Sequence, residues 1–183
     1  MLNSWVVMPT CLPTVLRRCR ACASGRFRPH GKFRANAHHK LLDAWLLVLC
    51  TTCGETAKLT VFERTNVRSI RPDLLDRMHD NDPSLAAELL QDPVVRRRNR
   101  IALDWAGAWR LDTGGSDHLD DAEVIDVSVR FAARIPVRPV RLIAEGCGLS
   151  RAGVERLVEE GKVVSAVRLA AKTSGDFTFT LKR

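Results

Sequence analysis

Two Cys-x-x-Cys pairs constrain this chain more than any other feature. The first hook is Cys19 and Cys22, the second hook is Cys50 and Cys53, and 27 residues lie between them. A two-residue spacer turns both sulfurs of a pair toward one point about 2.3 Å away, so two pairs can surround one ion as a tetrahedron. We therefore expect one structural Zn²⁺, held by two knuckles that a β-hairpin joins in the manner of a zinc ribbon.

Other cysteine chemistry explains the pattern less well. A thioredoxin-type redox protein has one such pair at a strand-to-helix junction, whereas this chain has two and no βαβ pattern around either. Four unrelated buried cysteines are the other alternative, although buried cysteines rarely fall in paired hooks. Cys11 and Cys147 lie outside the hooks, and we expect both to be small buried residues. Since four sulfurs saturate a zinc site, His30, His38 and His39 are expected at the surface.

Charge divides the chain into three regions. Residues 1–71 carry net +9, residues 72–133 net −6 and residues 134–183 net +5, within a total of +8. We expect domain boundaries near residues 71 and 133. Each basic end is a candidate footprint for a phosphate backbone. An anionic membrane surface is a weaker candidate because no amphipathic anchor accompanies the charge.

The sequence favours a cytoplasmic protein. Residues 1–14 have no early positive charge and contain Pro9 and Pro13, which is unlike a secretory signal. The longest apolar run, residues 44–50, is too short to span a bilayer. Cysteines that stay reduced and bind metal fit the same compartment.

Three strands are predicted in the first region. Residues 4–8 read as an edge strand that packs on the metal module. Residues 41–49 form an apolar run, which predicts a strand buried on both sides that brings Trp45 into the core. Residues 56–63 alternate apolar and polar side chains and predict a strand after the second hook.

Basic and aromatic residues alternate between the hooks. Arg28, Lys32 and Arg34 are interleaved with Phe27 and Phe33. This mixture can stack on nucleobases while it neutralises phosphate. A hairpin with phenylalanines in the core and arginines in water explains it equally well.

The segment between the hooks also resembles a known family. Together with the two hooks, the motifs Lys32-Phe33-Arg34-x-Asn36-Ala37 and Lys40-Leu41-Leu42-Asp43-x-Trp45-Leu46 are similar to the bacterial family of unknown function catalogued as number 1062. The resemblance implies a shared architecture over most of the chain. It implies no activity.

The middle region reads as helices followed by a strand. Pro72 opens a short helix, and Asp82 is an N-cap with proline at the first turn of the next one. Residues 96–100, Arg-Arg-Arg-Asn-Arg, are either the exposed end of a helix or an RNA-binding patch. Residues 113–121 are loop-like, and residues 122–131 alternate as a half-buried strand.

The basic tail contains two predicted helices, joined at Gly146-Cys147-Gly148 and followed by two strands. The second helix is capped by Ser150 and stopped by Gly161. The tail also resembles the small RNA-binding domain named after the fourth small-subunit ribosomal protein. The motifs that carry this resemblance are Arg141-Leu142, Leu149-Ser150-Arg151, Arg156-Leu157-Val158 and Gly161-Lys162-Val163. The resemblance implies that Arg141, Arg151 and Arg156 line the helix face toward structured RNA, and that a strand follows Gly161 at once. Ser165-Ala166 departs from the Val-Asn-Gly turn of that domain.

The same tail is also similar to a helix-turn-helix, whose second helix would enter a DNA major groove. The residues concerned are Ala144, Gly148, Leu149, Ser150 and Val154. We prefer the RNA-binding domain because a helix-turn-helix needs a supporting helix just before it, and the preceding segment is predicted to be a strand.

These features predict an α+β protein with three parts: a zinc-ribbon-like β module, a helical and strand middle, and a small RNA-binding-like domain. We expect a non-catalytic, zinc-containing nucleic-acid-binding protein that binds structured RNA or the ribosome. The nucleic-acid contacts expected are Arg28, Lys32, Arg34, Arg141, Arg151, Arg156 and Lys162. A helix-turn-helix DNA-binding regulator and a zinc-scaffolded protein-interaction module are the alternatives. No catalytic triad order or phosphate loop indicates an enzyme, and the oligomeric state is open.

Overall fold

The computed structural model describes residues 2–115 and 123–182, and it confirms a mixed α+β fold. Its elements in chain order are β1 Leu2–Pro9, β2 Thr14–Leu16, β3 Arg26–His38, β4 Leu41–Cys50, β5 Thr56–Asn66, a 3₁₀ turn Val67–Ser69, α1 Pro72–His79, α2 Pro83–Gln91, α3 Pro93–Asn99, β6 Ala102–Asp104, β7 Trp109–Asp112, β8 Val124–Phe131, α4 Pro139–Gly146, α5 Arg151–Glu159, β9 Val163–Ser165 and β10 Phe177–Lys182.

The chain forms two compact units. One is continuous, Leu12–Asp104, and contains both hooks; we call it the hook unit. The other combines Met1–Cys11 with Trp105–Arg183, and we call it the split unit. These boundaries differ from the expected ones at residues 71 and 133. The charge pattern follows sequence order, whereas strand pairing joins β1 to β8 from far along the chain.

The hook unit is an antiparallel sheet covered on one face by helices. The strand order is β5-β4-β3-β2-β6, and the 3₁₀ turn and helices α1 to α3 connect β5 to β6. Two apolar clusters join the helices to the sheet. Each helix begins with proline. The N-cap prediction for α2 is confirmed, because the Asp82 carboxylate accepts a hydrogen bond from the backbone N–H of Ser84 at 2.8 Å.

Strand β4 is fully buried on one face only, so the prediction of burial on both sides was wrong. The face toward the helices is buried, whereas Trp45, Leu47 and Leu49 on the opposite face are half-buried. Trp45 lies beneath Lys58, whose Nζ is 4.7 Å from the ring centroid. Composition could not distinguish the two faces because the apolar run is continuous.

Both phenylalanines of β3 point to the helix side. Phe27 is 1% exposed, and Phe33 packs against both apolar clusters. Arg28, Lys32 and Arg34 are exposed. Of the two explanations for this segment, the structure agrees with the hairpin whose phenylalanines face the core and whose basic residues face water. The pairing with β4 shifts register between Pro29 and Phe33, and the Asn81 side chain accepts a hydrogen bond from Phe33 N–H at 2.8 Å.

Residues 98 and 99 attach α3 to the outer strand of this sheet. The Asn99 amide accepts from Thr60 N–H at 2.7 Å and donates to Thr60 C=O at 2.9 Å. Arg98 Nη1 donates to Val61 C=O at 2.7 Å. Two members of the basic run therefore occupy backbone groups of an edge strand that would otherwise be open to another chain.

The split unit is a mixed sheet with α4 and α5. The strand order is β7-β1-β8-β10-β9, and β1 is parallel to β8. The prediction that residues 4–8 form an edge strand on the metal module was wrong, since β1 lies inside the other sheet. Strand β8 is confirmed, as are the two tail helices and the strands β9 and β10. The Ser150 hydroxyl accepts from Gly153 N–H at 3.0 Å, as its capping role predicts.

Packing in the split unit centres on Trp5. Its side chain is fully buried, and its ring lies 5.3 Å from that of Phe179, edge to face. A Cβ on Gly146 would come within 2.3 Å of the Trp5 ring, so only glycine fits there. Residues 116–121 of the expected loop lie outside the described residues. No helix in the part of the chain that the structure describes is long and apolar enough to cross a membrane.

Candidate metal centre

The four hook cysteines lie together at one end of the hook unit. The first hook occupies the loop between β2 and β3, and the second begins at the last residue of β4. The hairpin of β3 and β4 connects them, and Phe27 pairs with Cys50 at its base. Two distant stretches of sequence are therefore brought to one point by strand pairing.

The sulfur positions suit one tetrahedral ion. The four Sγ atoms all lie within 4.8 Å of one another. Across the hooks, the Sγ atoms of Cys19 and Cys53 are 3.8 Å apart, and those of Cys22 and Cys50 are 3.6 Å apart. A tetrahedron with metal–sulfur bonds of about 2.3 Å has edges of about 3.8 Å. A disulfide needs about 2.05 Å, so these are not bridged pairs.

The second hook is a tight turn closed by its own backbone. Cys50 N–H donates to Glu55 C=O at 2.9 Å, and Gly54 N–H donates to Cys50 C=O at 3.0 Å. Gly54 has φ of +74°, a left-handed conformation that glycine adopts without steric cost. This geometry places Cys53 back toward Cys50.

The first hook forms the same turn, with Ala23 in the position that Gly54 has in the second hook. Cys19 N–H donates to Ser24 C=O at 2.7 Å, in the place of the bond from Cys50 to Glu55. Ala23 follows the hook as Gly54 follows the other, and it has φ of +59°. An alanine in this region is strained. In each hook the first cysteine is buried and the second is exposed.

The pKa values of Cys50 and Cys53 are shifted in opposite directions by their surroundings. Hydrogen bonding from the backbone N–H of Cys53, against the effect of burial, lowers the pKa of Cys50 to about 6. The N–H of Glu55 favours the thiolate of Cys53, but the Cys22 side chain and burial outweigh it and raise the pKa of Cys53 to about 12. Negative charge cannot accumulate on neighbouring sulfurs without a compensating cation. A divalent ion would supply that charge and hold the thiols deprotonated.

The remaining candidate ligands are not part of this group. Among residues 2–115 and 123–182, the cluster contains neither Cys11 nor Cys147, and no histidine. Both extra cysteines belong to the split unit. Cys11 is exposed and Cys147 is half-buried, so the expectation that both are buried was wrong. His38 and His39 contact each other edge to face, with ring centroids 4.4 Å apart.

The basic residues predicted between the hooks lie on the sheet face that the helices do not cover. We give the name helix-distal face to its part nearest the hooks, which comprises Arg28, Arg34, Trp45, Leu47, Leu49 and Lys58; Asp43 continues the β4 row beyond Trp45. Arg28 is paired with Leu49 and Arg34 with Trp45 across the hairpin, and Lys58 is paired with Leu47 from the other side. Directly paired residues point to the same face. Lys32 is exposed in the irregular segment of β3.

The predicted tail residues are distributed differently. Arg151 and Arg156 are exposed on α5, and Lys162 Nζ lies 3.4 Å from a Glu160 oxygen. The Arg141 guanidinium lies over the Trp109 ring at 4.6 Å, so part of its surface is used inside the unit.

Sequence reasoning missed Asn81, Asn99 and the strained Ala23. The only signal for the asparagines was that short polar side chains tolerate left-handed backbone and bond to main chain, and Asn81 does have φ of +55°. Ala23 gave no signal, because alanine is not expected at positive φ.

The family comparison agrees with the motifs. The model for "Protein of unknown function (DUF1062)" matches residues 35–169, well over half of the 183 residues. The chain belongs to this family. The matched segment contains the second hook but not the first. No curated protein and no solved structure matches the chain.

Proposed function

We propose that this DUF1062 member is a non-catalytic zinc protein that binds nucleic acid, with structured RNA, free or in the ribosome, as its first ligand. The observation that carries the proposal is the helix-distal face. There a half-buried apolar row on β4 is bordered by arginines on β3 and by a lysine on β5.

This face has the chemistry that a nucleic-acid backbone and base edges require. Arg28, Arg34 and Lys58 can each neutralise a phosphate. Trp45 and its aliphatic neighbours offer apolar contact to bases, and an arginine beside an aromatic ring adds planar stacking. The net charge of +8 favours association with a polyanion over long range.

Zinc would act here as a structural element. Four thiolates in tetrahedral array favour zinc over oxygen-seeking ions, and the ion would fix the start of β3 against the end of β4. Since these strands carry the basic borders of the helix-distal face, the metal would hold that face in shape. The closed set of four protein ligands leaves no position for substrate.

The tail is a second candidate contact. Arg151 and Arg156 are exposed, and the order of helix, helix and strand is the one that the ribosomal-type domain has. The helix-turn-helix alternative has a suitable four-residue connection between α4 and α5, but the element preceding α4 is the strand β8.

Salt titration of binding tests this function. The ligands are an RNA hairpin and a DNA duplex, and the proteins are wild type, Arg28→Gln/Arg34→Gln and Arg151→Ala/Arg156→Ala. We expect the first variant to weaken RNA binding and to reduce the salt slope by about one to two released ions. Lys40→Gln/Arg68→Gln is the matched control, because both residues are exposed in the hook unit and lie outside the face.

Each outcome has a distinct meaning. Equal slopes for Arg28→Gln/Arg34→Gln and the control would remove the helix-distal face from the site. An effect of Arg151→Ala/Arg156→Ala that is larger on duplex DNA than on RNA would favour the helix-turn-helix alternative. Binding of neither ligand by wild type would leave the protein-interaction module as the function.

A further inference from the structure

A shallow depression beside α3 collects three arginines. It has a volume of about 330 Å³ and is lined by Pro93, Arg96, Arg97, Arg100 and Ile101. Positions 93, 96, 97 and 100 follow the three- and four-residue spacing of one helical face. The helix therefore divides residues 96–100 into two groups. Arg96, Arg97 and Arg100 line the depression, and Arg98 and Asn99 form the other group.

The other group is already occupied. Arg98 donates to Val61 C=O, and Asn99 bonds to both backbone groups of Thr60. Replacing these residues would disturb the sheet edge. A ligand that drew either side chain away from β5 would cost the edge strand those bonds.

The three arginines of the depression have no such role. Within the described part of the chain, none of them forms an ion pair with a carboxylate. Arg96 Nε is buried and has no hydrogen-bond partner among those residues. Like charges at this spacing repel each other, and a buried guanidinium N–H without an acceptor is unfavourable. An oxyanion bound in the depression would offset the repulsion among the three guanidinium groups.

We propose that this depression binds a phosphate group. Guanidinium groups pair with phosphate through two parallel N–H···O bonds, and three of them on one concave surface can contact different oxygens of the same group. Pro93 and Ile101 supply an apolar border for the atoms attached to the phosphate. The site does not depend on the helix-distal face, and its phosphate can come from a free anion or from a nucleic-acid backbone.

The test is a titration of the full-length protein followed by NMR. Inorganic phosphate, added at constant ionic strength, is one arm, and a short single-stranded RNA is the other. The reporters are the Arg96 side-chain Nε–Hε signal and the backbone amides of α3. We expect saturable shifts with at least one ligand.

The deciding variant is Arg97→Gln/Arg100→Asn, which retains the Arg96 reporter. Arg100 has φ of +51°, a conformation that asparagine tolerates. Loss of two charge-assisted contacts should weaken binding about tenfold or more. Lys40→Gln/Arg68→Gln removes the same charge elsewhere and should bind as wild type. Should the double variant unfold, Arg97→Gln alone is expected to weaken binding about threefold or more.

Selective weakening of either arm supports the site and identifies the source of the phosphate. Equal affinity of the deciding variant and the control in both arms overturns the proposal. Failure of RNA binding through the helix-distal face would leave the inorganic phosphate arm unaffected, so the two proposals fail separately.

Discussion

The hook unit and the split unit are stabilised in different ways. In the hook unit, the ends of two strands meet at four cysteines that are placed for one ion. In the split unit, the sheet and α4 meet at Trp5, where Gly146 leaves room for the ring. The remaining two cysteines belong to the split unit. The hook unit therefore has a candidate metal site in addition to its apolar clusters, whereas the split unit has a tightly fitted aromatic contact.

Loss of a metal ligand should destabilise the hook unit much more than the split unit, and this is the largest effect that we expect. Cys22→Ser removes one of four ligands, and metal binding contributes on the order of 10 kcal/mol to folding in small zinc modules. We expect amides of β3 and β4 to lose hydrogen-exchange protection, while those of β8 and β10 keep most of theirs. Elemental analysis of wild type should give one zinc per chain. Less than half an equivalent, or equal loss of protection in both units, would contradict this comparison.

The converse experiment destabilises the split unit by placing a methyl group against Trp5. Gly146→Ala puts a Cβ 2.3 Å from a ring atom of Trp5, so the ring or α4 must shift. Overpacking of this kind destabilises by about 1–3 kcal/mol, measured by urea unfolding, and zinc content should be unchanged. Gly175→Ala is the control because no atom lies within 4 Å of its added Cβ. Equal stability of the two variants would show that the Trp5 contact is not tight.

Substitutions in the turns of the two hooks should change the stability of the hook unit by a smaller amount. Ala23 and Gly54 are at equivalent positions with positive φ. Ala23→Gly should stabilise the zinc-loaded hook unit by about 1 kcal/mol, and Gly54→Ala should destabilise it by about the same amount. Thermal unfolding with excess zinc measures both. Changes of the same sign would mean that the two turns are not equivalent.

The smallest effect is expected at the two cysteines outside the hooks. Cys11→Ala and Cys147→Ala should leave the zinc content unchanged, because neither sulfur belongs to the cluster. Because Cys11 is exposed and Cys147 is half-buried, each substitution should cost less than about 1 kcal/mol of stability. A variant that loses stoichiometric metal would identify a ligand that the sulfur geometry does not include.

Features encoded by neighbouring residues were predictable. The hooks, the caps at Asp82 and Ser150, and the tail elements depend on short motifs, and the structure contains each of them. Nonlocal pairing was not predictable in the same way. No property of residues 2–9 indicates that they lie parallel to β8, since any alternating partner would satisfy them equally well.

The cysteine cluster was easier to predict than the contacts of the surface residues. Cysteine spacing alone predicted that these four sulfurs lie together, and the structure has them within 4.8 Å of one another. The arginine run at residues 96–100 gave no indication that Arg98 and Asn99 bind an edge strand. That division depends on the helical phase of α3 against β5, which composition does not contain.

The parallel pairing of β1 with β8 also sets an order of assembly during synthesis. Residues 12–104 are synthesised before any part of β8 or β10, so the hook unit can complete its sheet first. Strand β1 emerges earlier still, yet its neighbours in the sheet are β7 and β8. At about 5–20 residues per second, it must wait several seconds with unpaired edges, and in that interval it is open to pairing with another nascent chain.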